Sequence, residues 1–297
     1  MKYTAFIMAF TLLFTLPLRA AANEEATYTY WDVHPLHVGG TVIAMGKADI
    51  SNTSYNGKLR FNKTNASVSL IAPINEKNFF IPRIEWNTFE MNWDKNPKFS
   101  TTRFYFMQFG LTFYTNAIEQ WRWIARLDCN MDIQHFGNNR YNLFSALFWG
   151  AYEIWNDWHY HVGVYGYTGM RGAEVYPIIG LDYAPNKHWL FYFVFPLDYK
   201  IQYQFDKQWS LAIKGRPLKE RFRTGNNEPQ PRSVFSYSSI GTELNARYEK
   251  FLRLEIEAYI GWNFGGSFYI KKQNGRAPLY TDLGGSPYVG GSINYGF

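Results

Sequence analysis

Past its first two dozen residues the chain has no long apolar run, one cysteine and no block of like charge. The densest apolar stretch, Trp189 to Pro196, is far shorter than the ~20 residues a spanning helix needs. The single cysteine, Cys129, excludes a disulfide within the chain and a multi-cysteine metal centre. It lies on the apolar side of its segment and reads as a small hydrophobe. The formal net charge of +6 falls to +4 once Lys2 and Arg19 are set aside, because the opening segment carries no acid. That mild balance, with no dense basic run, does not suit a phosphate backbone, and no nucleic-acid partner is expected.

The opening segment reads as a secretory signal over residues 1–22. Lys2 supplies the positive start, Ala5 to Leu18 is apolar apart from Thr11, Thr15 and Pro17, and Ala20 to Ala22 offer small residues for cleavage. An uncleaved anchor helix is disfavoured because the run is short. Residues 23–36 are expected to form a polar and aromatic periplasmic lead-in, and 37–297 one domain. In that domain aromatics are abundant, 20% of the whole chain, although mean hydropathy is −0.33. Such a combination arises when apolar and polar residues alternate, one set facing lipid and the other water.

The alternation is explicit. Between Phe251 and Phe264, Leu252, Leu254, Ile256, Ala258, Ile260, Trp262 and Phe264 share one face, while Arg253, Glu255, Glu257, Tyr259 and Asn263 share the other. Between Gln120 and Ile133, Trp121, Trp123, Ala125, Leu127, Cys129 and Met131 oppose Arg122, Arg126, Asp128, Asn130 and Asp132. Five short polar turns each precede an aromatic that opens a new run: Trp121, Trp158, Trp189, Trp209 and Phe251. Short turns at one end, long connections at the other and aromatics at one height predict an all-β fold, a single antiparallel transmembrane β-barrel.

Runs near 37–50, 57–72, 79–92, 101–116, 120–134, 141–155, 159–171, 174–184, 189–197, 198–206, 209–217, 233–248, 251–265 and 287–297 give about 14 strands. Twelve is the other count, if 189–206 is irregular around Pro196. The longest outer loops are expected at Pro217–Arg232 and Ser267–Pro287.

The last ten residues, Tyr288 to Phe297, resemble the C-terminal assembly signal of bacterial outer-membrane barrels. Phe297, Tyr295 and Ile293 match its alternating aromatic or apolar positions; Ser292 stands where a glycine is usual. The resemblance implies an outer-membrane location, surrounding lipid and insertion by the barrel assembly machinery. The whole layout is similar to porin-like barrels at the level of pattern.

Few residues suggest catalysis, and no enzyme is expected. No histidine is followed at strand spacing by a serine, as a barrel lipase would need. His159 and His161 share a face near Asp157, and His34 and His37 flank Pro35 near Asp32; both sets are expected to be ordinary polar residues. Gly163, Gly166, Gly169 and Gly172 lie along strands, which excludes a phosphate cradle. No metal or cofactor is expected.

The charges opposite the apolar stripes are more informative. Arg122, Arg126, Asp128 and Asp132 form one set; Lys214, Arg216, Glu243, Arg247, Arg253, Glu255 and Glu257 form another. Arginine or lysine facing hydrocarbon costs about 2–4 kcal/mol near the midplane, so these residues are expected to line a lumen. A charge introduced at Ile256 should then meet lipid at mid-depth, whereas one at Glu255 should be tolerated. Eight strands can already be filled by side chains, so 14 predict a water-filled or loop-plugged lumen, with a closed interior of neutralised pairs as the other reading. The expected function is a porin-like channel passing small polar solutes, weakly selective because its charges nearly balance. The alternative is a structural or surface-interaction barrel without transport.

Overall fold

The computed structural model describes residues 35–51, 57–94, 100–155, 157–170, 172–250, 253–271 and 279–297. The expected signal, nearly all of the 23–36 lead-in and Phe251 lie outside them. The strands are β1 (Leu36–Met45, continued by Ala48–Ser51), β2 (Gly57–Leu70, continued by Ala72–Asn75), β3 (Asn78–Trp93), β4 (Arg103–Thr115), β5 (Trp121–Asp132), β6 (Leu143–Trp155), β7 (Trp158–Gly169), β8 (Gly172–Tyr183), β9 (Trp189–Phe195), β10 (Asp198–Gln204), β11 (Trp209–Arg223), β12 (Val234–Lys250), β13 (Leu254–Lys271) and β14 (Leu279–Leu283, continued by Ser286–Gly296). They form a closed antiparallel barrel of 14 strands. β1 zips to β14 from His37 opposite Gly296 to Met45 opposite Tyr288, so no sheet edge is left at the seam. The segment around Pro196 is a hairpin, β9–β10, which decides for 14 strands over 12.

The burial pattern is inverted relative to a soluble protein. On β13, Ile256, Ile260, Trp262 and Phe264 are exposed while Glu255, Glu257, Tyr259 and Asn263 are buried. A barrel in lipid turns its apolar face outward and keeps its polar face within. Four tryptophans open strands, as their turns predict, and each packs on the aromatic directly opposite in register. The ring centroids are 5.0 Å apart for Trp121 and Tyr152, 4.3 Å for Trp158 and Tyr183, 4.9 Å for Trp189 and Tyr203, and 4.8 Å for Trp209 and Tyr248. These pairs form an aromatic girdle at the turn end of the barrel.

The wall is uneven. β9 and β10 have 7 residues each, whereas β11 has 15. β9 therefore covers only Ile179–Tyr183 of β8, and β10 only Ser210–Gly215 of β11. Beyond that hairpin a notch separates the outer half of β8 from the outer half of β11. Pro217 sits where β11 loses its β10 partner, a position that tolerates a residue without an N–H. Residues 217–223, expected as loop, continue the strand and pair with β12.

This outer part of β11 does not stay in the wall. Phe222 stacks on Phe104 of β4 at 4.7 Å and lies 4.5 Å from Phe89 of β3. β4 and β11 stand on opposite sides of a 14-membered ring, with six strands between them either way. On the other face of the same segment, Arg221 reaches Glu174 of β8 at 2.7 Å. Both faces are thus buried, and the outer β11–β12 wall folds into the barrel. The size rule behind a wide lumen assumes a round cross-section; here the outer β11 segment occupies part of that space.

The loop joining β11 to β12 is tied across the mouth. Glu228 accepts hydrogen bonds from the backbone N–H groups and hydroxyls of Ser100 and Thr101, just ahead of β4. Partial burial alone would raise its carboxyl, but these bonds hold it below the usual carboxylate range. The carboxylate form is the one the bonds need. The contact is therefore complete above the ordinary glutamate range and is lost as pH falls through the lowered value. Protection of the Ser100 and Thr101 amides, taken as the exchange rate relative to the intrinsic rate at each pH, should fall on acidification through that range. Glu228→Gln should abolish the pH dependence, and identical profiles for the two proteins would overturn the assignment.

Candidate functional site

Most of the inward charges meet one another. On β11 to β13, Lys214 Nζ lies 2.9 Å from Glu257, Arg216 Nη2 lies 2.7 Å from Glu243, and Arg247 Nη2 lies 2.5 Å from Glu255. Arg216 also covers the Tyr259 ring at 4.3 Å, and the Tyr288 hydroxyl donates to Glu243 at 3.1 Å. On β5, Arg126 Nε lies 2.7 Å from Asp128, which also accepts from Gln108 and Ser145 on the flanking strands. Arg122 is half-buried on the same inward face. Asp132 sits at the loop end, where it accepts from the Gln134 N–H at 2.8 Å and caps a short 3₁₀ turn. Arg253 is exposed in the turn before β13, so the buried alternation begins at Glu255.

Of these charges, Arg126 and Asp128 line a cavity of about 160 Å³ inside the barrel. Its polar side includes Asn65, Asn87, Arg126 and Asp128; its apolar side includes Phe89, Phe106 and Phe222. Above it, towards the loop end, lies the apolar cluster around Phe222, Phe235, Tyr237 and Phe268. A second cluster runs along β5 to β9 and the turn after it, and contains Ile178, Val194 and Leu197. One ion pair crosses the lumen, Lys63 of β2 to Glu220 of β11 at 2.7 Å, and across the notch Glu174 of β8 holds both Lys219 at 2.6 Å and Arg221. Alternation could not supply Lys63, Glu174, Glu220 or Arg221 as site residues, because their partners lie across the lumen or the notch.

His159 and His161 were expected to be ordinary polar residues. Both are buried, and both contact Asp182 of β8: His159 Nδ1 at 2.7 Å and His161 Nε2 at 2.8 Å. The signal for this was the hairpin register. The pairing of β7 with β8 runs from Gly169 opposite Gly172 and sets His159 opposite Asp182. Trp149 stacks on His161 at 5.3 Å, and Tyr192 meets it edge-on at 5.4 Å. Among the described residues no group of three metal-ligating side chains has the geometry to hold an ion.

No family model matches the chain. It is 18% identical over 254 residues to an uncharacterized protein of Chlamydia trachomatis serovar D, covering 80% of each chain. It is 18% identical over 185 residues to one of Chlamydia muridarum, covering 62% of this chain and 58% of that one. Among solved structures it is similar to an outer membrane channel from Pseudomonas putida F1, with a TM-score of 0.50, 9% identity and coverage of 89% and 96% of the two chains. A Pseudomonas aeruginosa FadL homologue aligns with a TM-score of 0.44 and 10% identity, covering 90% and 91%. At such identity the likeness to the first channel is one of fold. With its inside-out burial and closed seam, the chain is a 14-stranded β-barrel of the bacterial outer membrane, built on a fold that an outer-membrane channel also uses.

Proposed function

We propose that the protein is a gated channel for small polar solutes, not an always-open porin and not an enzyme. The observation that carries this is the outer half of β11, folded into the lumen and held there by ion pairs from two sides, Lys63 to Glu220 and Glu174 to Lys219 and Arg221. A wall segment that fills a bore without being fused into the opposite wall has two arrangements available to it. Swinging back into the notch between β8 and β11 would join the polar cavity to the outer mouth. The filled interior is also what a structural barrel without transport would have, and conduction separates the two.

In planar bilayers the wild-type protein is expected to show brief, infrequent openings. Glu174→Gln removes the carboxylate shared by Lys219 and Arg221 and should lengthen the open time several-fold, in line with ~1–3 kcal/mol for a charge-assisted contact. If wild type and variant both stay silent, the structural reading holds.

Assembly belongs to the same proposal. Val289, Ile293, Tyr295 and Phe297 share the exposed face of β14, the face we propose the assembly machinery reads. The Phe297 N–H also bonds the Leu36 carbonyl at 2.8 Å across the seam. Deleting Phe297 should leave unassembled protein in the periplasm, and normal heat-modifiable migration at normal yield would overturn this.

A further inference from the structure

We infer that the central cavity is a binding site for a small organic anion that carries one carboxylate-like group on an apolar ring or chain. Arg221 is the key. Its side chain is 5% exposed and lines the cavity, and its Nη2 is used by Glu174 and the Tyr167 hydroxyl. Its Nε and Nη1 are buried without a hydrogen-bond partner. Nη1 lies beside Gly172 and neither atom touches open space, so Arg221 acts on the cavity through its charge, which is costly to leave uncompensated.

The charge count agrees. Around the cavity Lys63 pairs with Glu220, Arg83 with Glu85 and Arg126 with Asp128. Lys219 and Arg221 share the single carboxylate of Glu174. These five cations face four carboxylates, so one bound anion restores neutrality in a space where an uncompensated charge is expensive. The Phe89, Phe106 and Phe222 rings form the apolar wall that a ring or short chain would cover. At about 160 Å³ the cavity suits a small molecule. The idea rests on the channel reading for its meaning, since the anion would be the solute, but binding is measurable without passage.

The test is calorimetric titration of the full-length barrel in detergent micelles with three probes that share one ring: benzoate, benzamide and benzylammonium. Benzoate is expected to bind saturably. Benzamide should bind at least about tenfold more weakly, the worth of one charge-assisted hydrogen bond, and benzylammonium should not bind. Arg221→Gln should weaken benzoate by a similar factor. Glu174→Gln should do the opposite and tighten it, because two cations lose their competing carboxylate. A merely structural role for these residues would not move affinity in opposite directions. Heat-modifiable migration checks that each variant is folded; if Arg221→Gln does not fold, the ring series and Glu174→Gln still decide. Equal binding of the three probes, no saturable binding of benzoate, or weaker binding in folded Glu174→Gln would overturn the inference. Conductance without benzoate binding would leave the channel reading intact and remove this one. Binding without conductance would keep the site and remove the channel.

Discussion

Phe222→Ala is expected to destabilise the barrel by about 3–5 kcal/mol and to turn brief openings into sustained conductance. Phe222 is 1% exposed, and its ring lies 4.5, 4.7 and 5.5 Å from those of Phe89, Phe104 and Phe106. Removing it deletes the transfer free energy of a buried ring and leaves a void, because packed strands relax little around it. The void lies where opposite walls touch, so the same change that weakens packing also weakens the closure. Phe222→Leu, which keeps most of the volume, should recover much of both effects. Leu127→Ala, on the lipid face of β5, should open nothing. Denaturant titration in micelles gives the stability and bilayer recording the conductance. An unchanged unfolding midpoint with wild-type conductance would show that the ring does not hold β11 in place.

The second large effect is graded by depth. Ile256 lies opposite Tyr248, which stacks on Trp209 in the girdle, so it sits near the interface and not at mid-depth as alternation alone suggests. Ile260, opposite Leu244 and Val289, is further into the hydrocarbon and more exposed to it. Ile260→Arg should therefore cost about 2–4 kcal/mol and Ile256→Arg no more than about 1 kcal/mol. The inward neighbour is not the permissive control it was expected to be. Glu255 is buried with Arg247 at 2.5 Å, so Glu255→Arg would press two guanidinium groups together. Equal costs at Ile256 and Ile260 would mean that the girdle does not mark the membrane boundary.

Period-two alternation was enough to establish the class of fold, the facing of β5 and β13, and a strand count of about 14. That is because each of these depends on neighbours in the same or the adjacent strand. Trp121, Trp158, Trp189 and Trp209 marked strand starts because an amphipathic ring settles at the membrane boundary wherever a short turn delivers it. Ile293, Tyr295 and Phe297 carried the resemblance to outer-membrane barrels for the same local reason.

What alternation could not encode is which residue lies across the lumen. Lys63 and Glu220 are 157 positions apart and Phe104 and Phe222 are 118 apart, and nothing local distinguishes an inward side chain that meets water from one that meets the opposite wall. The decisive event was the early end of β9 and β10. Once those strands stop, β11 has no neighbour on that side, its Lys219 and Arg221 cannot face hydrocarbon, and the segment turns inward to Glu174. Alternation on Lys219 to Arg223 looked like loop because both of its faces carry charge, and both faces are buried only after the wall has folded into the barrel. Sequence thus determined a membrane barrel with a charged interior. Tertiary structure alone decided which strands meet across that interior, because those contacts join strands that are distant in the chain and far apart around the ring.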